Sequence, residues 1–211
     1  MRTTADQRAG DDARVATVRQ HDHRLKQQTL ADLLRANLPP REHLLEGLLK
    51  TGESAMLWAA PGVGKTMASM SIALAIAGGG PWLHWGAPKP RRVLIVDGEM
   101  NVHDLRDRFL ALSLGAAGGD MAVAAENIAI IARQDQDPDA EFPDLGDRLW
   151  QDRIMARARG WGADLVILDN FSTLAEVDDE NSASAMSPVL SFLLRMKAAE
   201  IATLLVHHSG K

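Results

Sequence analysis

At 211 residues the chain is long enough for one domain, or one domain with an appendage, and 46% hydrophobic residues suffice for a real core. A formal charge of −5 argues against an overall basic nucleic-acid binder, although it is compatible with a local basic patch. The absence of cysteine excludes disulfides and thiolate chemistry. No apolar segment of signal type follows Met1 and no run of about 18 apolar residues occurs, so the expectation is a soluble, cytoplasmic protein with no membrane partner.

Residues 1–28 interleave Arg2, Arg8, Arg14, Arg19, Arg24 and Lys26 with Asp6, Asp11, Asp12 and Asp22. With only Val15, Val18 and Leu25 as apolar anchors they read as a flexible polar arm, either a solvated tail or a contact for a subunit or DNA. The folded domain is expected over 29–211. Thr29 is placed to cap a helix through Ala36, with Leu30, Leu33 and Leu34 on one face, and Pro39-Pro40 stops it. His43 to Lys50 reads as a short helical turn whose leucines cover a sheet edge or a nucleotide base.

A strand is expected over 54–60 and a helix, apolar on most faces, over 65–77. Between them lies Ala59-Ala60-Pro61-Gly62-Val63-Gly64-Lys65-Thr66. A glycine-rich turn from strand to helix aims backbone N–H groups and the positive end of the helix dipole at one point. Lys65 adds an ammonium for the β- and γ-phosphates, and Thr66 a hydroxyl for Mg²⁺. Ala60, Pro61, Gly62, Val63, Gly64, Lys65, Thr66 and Met67 are therefore the candidate nucleotide-binding residues of a P-loop. The pattern ordinarily has Gly where this chain has Ala59, and Ala serves there if its φ is negative.

Gly78-Gly79-Gly80-Pro81 ends the helix, and Trp82–Trp85 suggests a short strand. Arg92–Asp97 is the continuous apolar run of a buried parallel strand, ending in Asp97-Gly98-Glu99-Met100, where open α/β sheets bind ligands. Asn101 caps the next helix, with Leu105, Phe109 and Leu112 on one face, and Asn127–Ile131 forms another strand. The loop with Asp135, Asp137, Asp139, Glu141, Asp144 and Asp147 lacks the glycine and terminal Glu of a calcium loop and reads as solvated. A helix over 148–159 faces inward with Leu149, Trp150, Ile154 and Met155.

Ala163–Asn170 then runs four apolar residues into Asp169, a Walker B pattern about 100 residues after the P-loop, which makes Thr66 and Asp169 the candidate Mg²⁺ residues. A polar loop over 174–183 precedes a helix over 186–197 with Leu190, Leu193 and Leu194 inward. The last strand, 201–206, ends in His207-His208-Ser209-Gly210-Lys211. Adjacent strand residues point to opposite faces, which disfavours the histidine pair as a zinc site.

Strand and helix alternate throughout, which favours right-handed βαβ units around a mainly parallel sheet. The ordered set of P-loop, Asp-Gly-Glu-Met, Leu-Asp-Asn and His-His-x-x-Lys resembles the RecA-like ATPases. Within them it is similar to the AAA_25-like branch with hexameric plasmid-replication helicases and DnaB-type replicative helicases. The resemblance, over about residues 40–211, implies a three-layer α/β/α P-loop domain that uses ATP and Mg²⁺. It implies that Glu99 polarises the attacking water, with Lys65 on the phosphates and His207 or His208 as the γ-phosphate sensor. Lys211 resembles the basic residue that reaches a neighbouring subunit's nucleotide. Asn170, following Asp169, separates the chain from AAA+ ATPases, whose catalytic acid stands at that position. Implied partners are further copies of the chain, a hexamer among the candidate forms, and single-stranded DNA. Relatives continue with more strands, so the chain to Lys211 is expected to lack them or to be a minimal version. The implied function is ATP hydrolysis by a replication-associated helicase or DNA-processing motor. A nucleotide-binding regulatory or assembly module without motor activity is the alternative. A small-molecule kinase would need an Arg-rich lid, which is not seen after Asp169.

Overall fold

The computed structural model describes residues 26–115, 119–137, 139–175 and 183–208. Most of the polar arm, much of the acidic loop after Leu174, and Lys211 lie outside them. The chain divides into two units, 1–40 and 41–211. In the first, α1 (Leu30–Arg35) starts in a reciprocal cap. Thr29 Oγ1 accepts from Asp32 N, and Asp32 Oδ2 accepts from Thr29 N, both at 3.1 Å. Leu30, Leu33 and Leu34 are exposed on it.

The second unit opens with β1 (His43–Leu45) and β2 (Leu49–Lys50), an antiparallel hairpin. The expected helical turn over 43–50 is thus a strand pair. The turn at 46–48 reverses the chain, and Glu46 N–H donates to Gly86 O at 2.8 Å. The reversal buries Leu44, Leu45 and Leu49 together and leaves Leu48 half exposed. Then come β3 (Ser54–Ala59), α2 (Lys65–Gly78), and a small hairpin of β4 (Pro81–Trp82) and β5 (Trp85–Gly86) with the two Trp rings stacked 5.2 Å apart. They are followed by β6 (Val93–Asp97), α3 (Val102–Leu114), α4 (Met121–Asn127), β7 (Ile128–Ala132), α5 (Arg148–Trp161) and β8 (Leu165–Asp169). The described chain ends with α6 (Phe171–Leu174), α7 (Ala183–Ala198) and β9 (Ala202–His208).

Five strands form one parallel sheet in the order β3-β9-β8-β6-β7. Because side chains alternate, each central strand feeds two cores. Val93, Ile95, Leu165, Ile167, Leu204 and Val206 pack with the apolar α2 and the β1–β2 hairpin. Leu94, Val96, Val166, Leu168 and Leu205 pack on the other face with α5, α6 and α7. Three layers result, α/β/α.

Two amphipathic helices keep only part of the expected face: Ile154 and Met155 on α5 are buried and Leu193 on α7 packs partly against the core, as expected. On α7 the buried residues are Val189, Phe192 and Met196, while Leu190 and Leu194 are exposed. Spacings of three and four define that stripe, and the leucine stripe beside it has the same period. On α5, Gln151, Ile154, Met155 and Ala158 face inward. Leu149 is exposed, and the Trp150 ring is covered by the Arg153 guanidinium at 4.3 Å. Helix α4 carries no strong sequence signal. Asp120 Oδ1 accepts from Ala122 N and Val123 N, a side-chain cap that a single Asp after a glycine signals only weakly. Among the described residues no helix is long and apolar enough to cross a membrane.

Candidate functional site

All five strands point the same way, so Ala59, Asp97, Ala132, Asp169 and His208 end at one rim. Parity then selects among them. Asp97 and Asp169 continue the Val93–Ile95 and Leu165–Ile167 series, on the α2 face of the sheet. His208 continues Leu204–Val206 on that face, and His207 falls on the opposite one.

At this rim lies a cavity of about 740 Å³, the size that drug-like and nucleotide ligands take. It brings together Gly62, Gly64, Lys65, Thr66, Met67, Glu99, Asp169 and His208. Ala60, Pro61 and Val63 complete the loop on its exposed outer side. His207 is instead buried, its ring edge-on to Phe171 at 5.1 Å.

The P-loop conformation follows from two glycines. Gly62 and Gly64 sit at φ 79° and 92°, and a Cβ at either would meet nothing within 4 Å. Backbone conformation, not space, therefore demands glycine there. Gly64 is the N-cap of α2 and supplies no side-chain cap, so the first-turn amides of a 14-residue helix are left for a ligand. Lys65 is buried, and its Nζ donates to Ala59 O and Ala60 O, each at 2.8 Å.

Ala59 ends β3 opposite His208, and among the described residues only Leu83 and Glu200 are non-glycines with positive φ. Glycine is thus not required at 59. Ala59→Gly should leave nucleotide affinity within about twofold and lower stability by up to about 1 kcal/mol through a more flexible unfolded chain. A tenfold tighter Kd by calorimetry would show that alanine distorts the natural loop.

Asp169 stands against α2. Thr66 Oγ1 is 3.4 Å from its Oδ1, and Ser69 Oγ is 3.1 Å from its Oδ2. Burial pushes the Asp169 carboxyl up to about 6, opposed by the Ser69 hydrogen bond and reinforced by the nearby Asp97. Asp97 is also raised by burial, opposed by N–H donors from Met100 at 2.6 Å and Glu99 at 3.1 Å. Asp97 therefore folds the turn that carries Glu99. The Glu99 carboxylate accepts from Asn170 Nδ2 at 2.5 Å.

Several residues at the cavity escaped the reading of the sequence. Ser69 lies one turn beyond Thr66 on the same helix face, a spacing of three that could have flagged it. Asn101, which caps α3, and Asp104 and Arg108 within it also line the cavity, and no sequence motif assigns them to a site. A second, polar cavity of about 710 Å³, between Arg133 and Trp150, shares none of the P-loop residues.

Thr66 and Asp169 are oxygen donors within reach of one another, the hard ligands that Mg²⁺ takes, so the residues present fit that ion. Among the described residues no group of three or more histidines and carboxylates could hold a metal unaided. A triphosphate and water would supply the other ligands, as is usual for Mg²⁺.

A parallel sheet with a glycine-shaped loop feeding the open N-terminus of a helix, and a buried Asp on a neighbouring strand, is the arrangement of a RecA-like P-loop domain. Residues 19–211 match AAA_25, described as an AAA domain, and the chain belongs to that family. No curated protein matches it. Among solved structures it is similar to a KaiC-like protein from the hyperthermophilic archaeon Pyrococcus horikoshii OT3, at 18% identity and a TM-score of 0.51, covering 79% of this chain and 65% of that one. It also matches the flagellar accessory protein FlaH from Methanocaldococcus jannaschii, at 13% identity and a TM-score of 0.49, covering 75% and 62%. The chain thus spans a little under two thirds of those structures' lengths.

Proposed function

We propose that the protein is a Mg²⁺-dependent ATPase in which Glu99 activates water and Lys65, Thr66 and the α2 amides bind the phosphates. The observation that carries this reading is the convergence of Lys65, Thr66, Glu99 and Asp169 on one cavity from three separate elements. Thr66 and Asp169 would hold Mg²⁺, which when bound neutralises phosphate charge. Glu99 would orient a water and take its proton, a role supported by its carboxylate accepting from Asn170 at the rim. His208 lines the same cavity and is the better candidate of the two histidines for sensing the γ-phosphate. Positioning and fixed charge supply the catalysis, as in other phosphoryl transfers.

The finer reading is a replication-associated helicase or DNA-processing motor, assembled from several copies, hexamers included, around single-stranded DNA, with Lys211 acting in trans. The −5 charge favours the alternative, a nucleotide-dependent regulatory or assembly module without motor activity. Phosphate release with and without single-stranded DNA, beside native mass with and without Mg²⁺-ATP, separates them. DNA-stimulated turnover with a ring-sized mass supports the motor. Turnover indifferent to DNA supports the module, and no turnover at all removes the ATPase reading.

The raised Asp169 pKa gives this site a pH signature. Mg²⁺ would bind the carboxylate, and protons would compete for it below about pH 6. The gain in nucleotide affinity from Mg²⁺ should be full at about pH 7.5 and fall up to about tenfold per pH unit below about 6. Calorimetry with and without Mg²⁺ across that range checks it, and a gain that is flat with pH would take Asp169 out of the metal site.

A further inference from the structure

We propose that Asn170 is the positioning residue for Glu99, holding its carboxylate aimed into the cavity; the inference rests on Glu99 acting in ATP hydrolysis. Asn170 is 2% exposed and has both ends of its amide committed. Its Oδ1 accepts from Thr173 N at 3.2 Å, as the N-cap of α6. A backbone N–H only donates, so the oxygen must face Thr173 and the NH₂ must face Glu99. Nδ2 then donates to Glu99 Oε2 at 2.5 Å, a short bond to a charged acceptor.

The surroundings over-determine this contact. Helix α6 is anchored by Phe171 and Leu174, both fully buried. The Glu99 turn is pressed against α6, and a Cβ on Gly98 would meet Thr173 Oγ1 at 2.5 Å and Leu174 Cδ2 at 2.9 Å. Gly98 N–H donates to Asp169 O at 2.8 Å, tying the turn to β8. The Glu99 backbone is set by Asp97 and its carboxylate by Asn170. An otherwise freely rotating side chain is fixed at both ends, as a water-orienting group requires.

The capping and positioning roles can be separated by substitution. Asn170→Asp keeps an acceptor for Thr173 N–H, and Asp is a good N-cap, but it replaces the donor facing Glu99 with a second carboxylate. Asn170→Ser also caps and is too short to reach Glu99. Each variant should bind nucleotide within about threefold of wild type; Asn170→Ser should melt close to it, and Asn170→Asp lower, since it sets a buried carboxylate against Glu99. Each should hydrolyse ATP in a single turnover roughly 10-fold or more slowly, the scale of one lost charge-assisted hydrogen bond. The deciding measurement is the same substitution made with Glu99→Gln. A residue that acts only through Glu99 loses its effect there. Equal slowing in both backgrounds would assign Asn170 to the fold and overturn the inference. Unchanged rates for Asn170→Asp and Asn170→Ser, with Glu99→Gln slow, would overturn it while leaving the ATPase reading intact. A Glu99→Gln enzyme as fast as wild type would take Glu99 out of catalysis and overturn this inference, whereas a wild-type chain without turnover would remove the ATPase reading itself.

Discussion

Lys65→Ala should abolish tight ATP binding, weakening it by roughly 100-fold or more. Lys65 is buried at the start of α2, with the helix amides beside it and carboxylates across the cavity. Asp97, Glu99, Asp104 and Asp169 line that cavity, against Lys65 and Arg108 as its cations. A triphosphate entering there meets more negative than positive charge, and Lys65 is the cation closest in sequence and space to the phosphate loop. Charge attraction at a few Å in a partly desolvated site amounts to several kcal/mol, so its loss outweighs any single amide contact. The substitution also removes the donor shared by Ala59 O and Ala60 O. Some loss of stability is expected with it, and Lys65→Met, which keeps the stem's volume, isolates the charge. Thr66→Ala should spare metal-free binding and lose mainly the Mg²⁺-dependent part. Calorimetry on both variants decides, and unchanged ATP affinity in Lys65→Ala would mean the loop is not a phosphate site.

The α/β/α fold and most of this site could be read from local signals. Strands β6 and β8 are continuous apolar runs, and each ends in an Asp, so both their burial and their polarity at the rim are written in order. The P-loop is a contiguous motif whose glycines match the positive φ found at 62 and 64. Strand parity puts His207 and His208 on opposite faces, but which face carries α2 is set by the packing of Leu204 and Val206, which the sequence does not show. What resisted reading was set by partners distant in sequence. The hairpin at 43–50 depends on Gly86, which local leucine spacing does not contain. The inward face of α7 depends on which of two equal stripes meets Phe171 and Leu205. The link from Asn170 to Glu99 spans 71 residues and joins two loops, and no spacing in the chain encodes it.

Glu99→Gln should leave ATP binding near wild type and reduce turnover by roughly 10²-fold or more, the scale of a lost general base. The competing account of Glu99 is that it caps the helix after it. The structure gives that task to Asn101, whose Oδ1 accepts from His103 N at 2.9 Å. Glutamine at 99 keeps the side chain's size and can still accept from Asn170, so the melting temperature should hold. The other carboxylates are occupied: Asp97 by the amides of Glu99 and Met100, Asp169 by Ser69 and Thr66 on α2. Asp104 is the remaining acid at the cavity, exposed in the first turn of α3. Single-turnover hydrolysis at saturating ATP, with melting curves on the same samples, distinguishes the readings. A lower melting temperature with an intact rate per folded molecule would return Glu99 to a structural role. Turnover lost in Asp104→Asn but kept in Glu99→Gln would move the base to α3. Loss confined to Glu99→Gln leaves the proton of the attacking water with one acceptor, held against Asn170 on the rim beside Thr66.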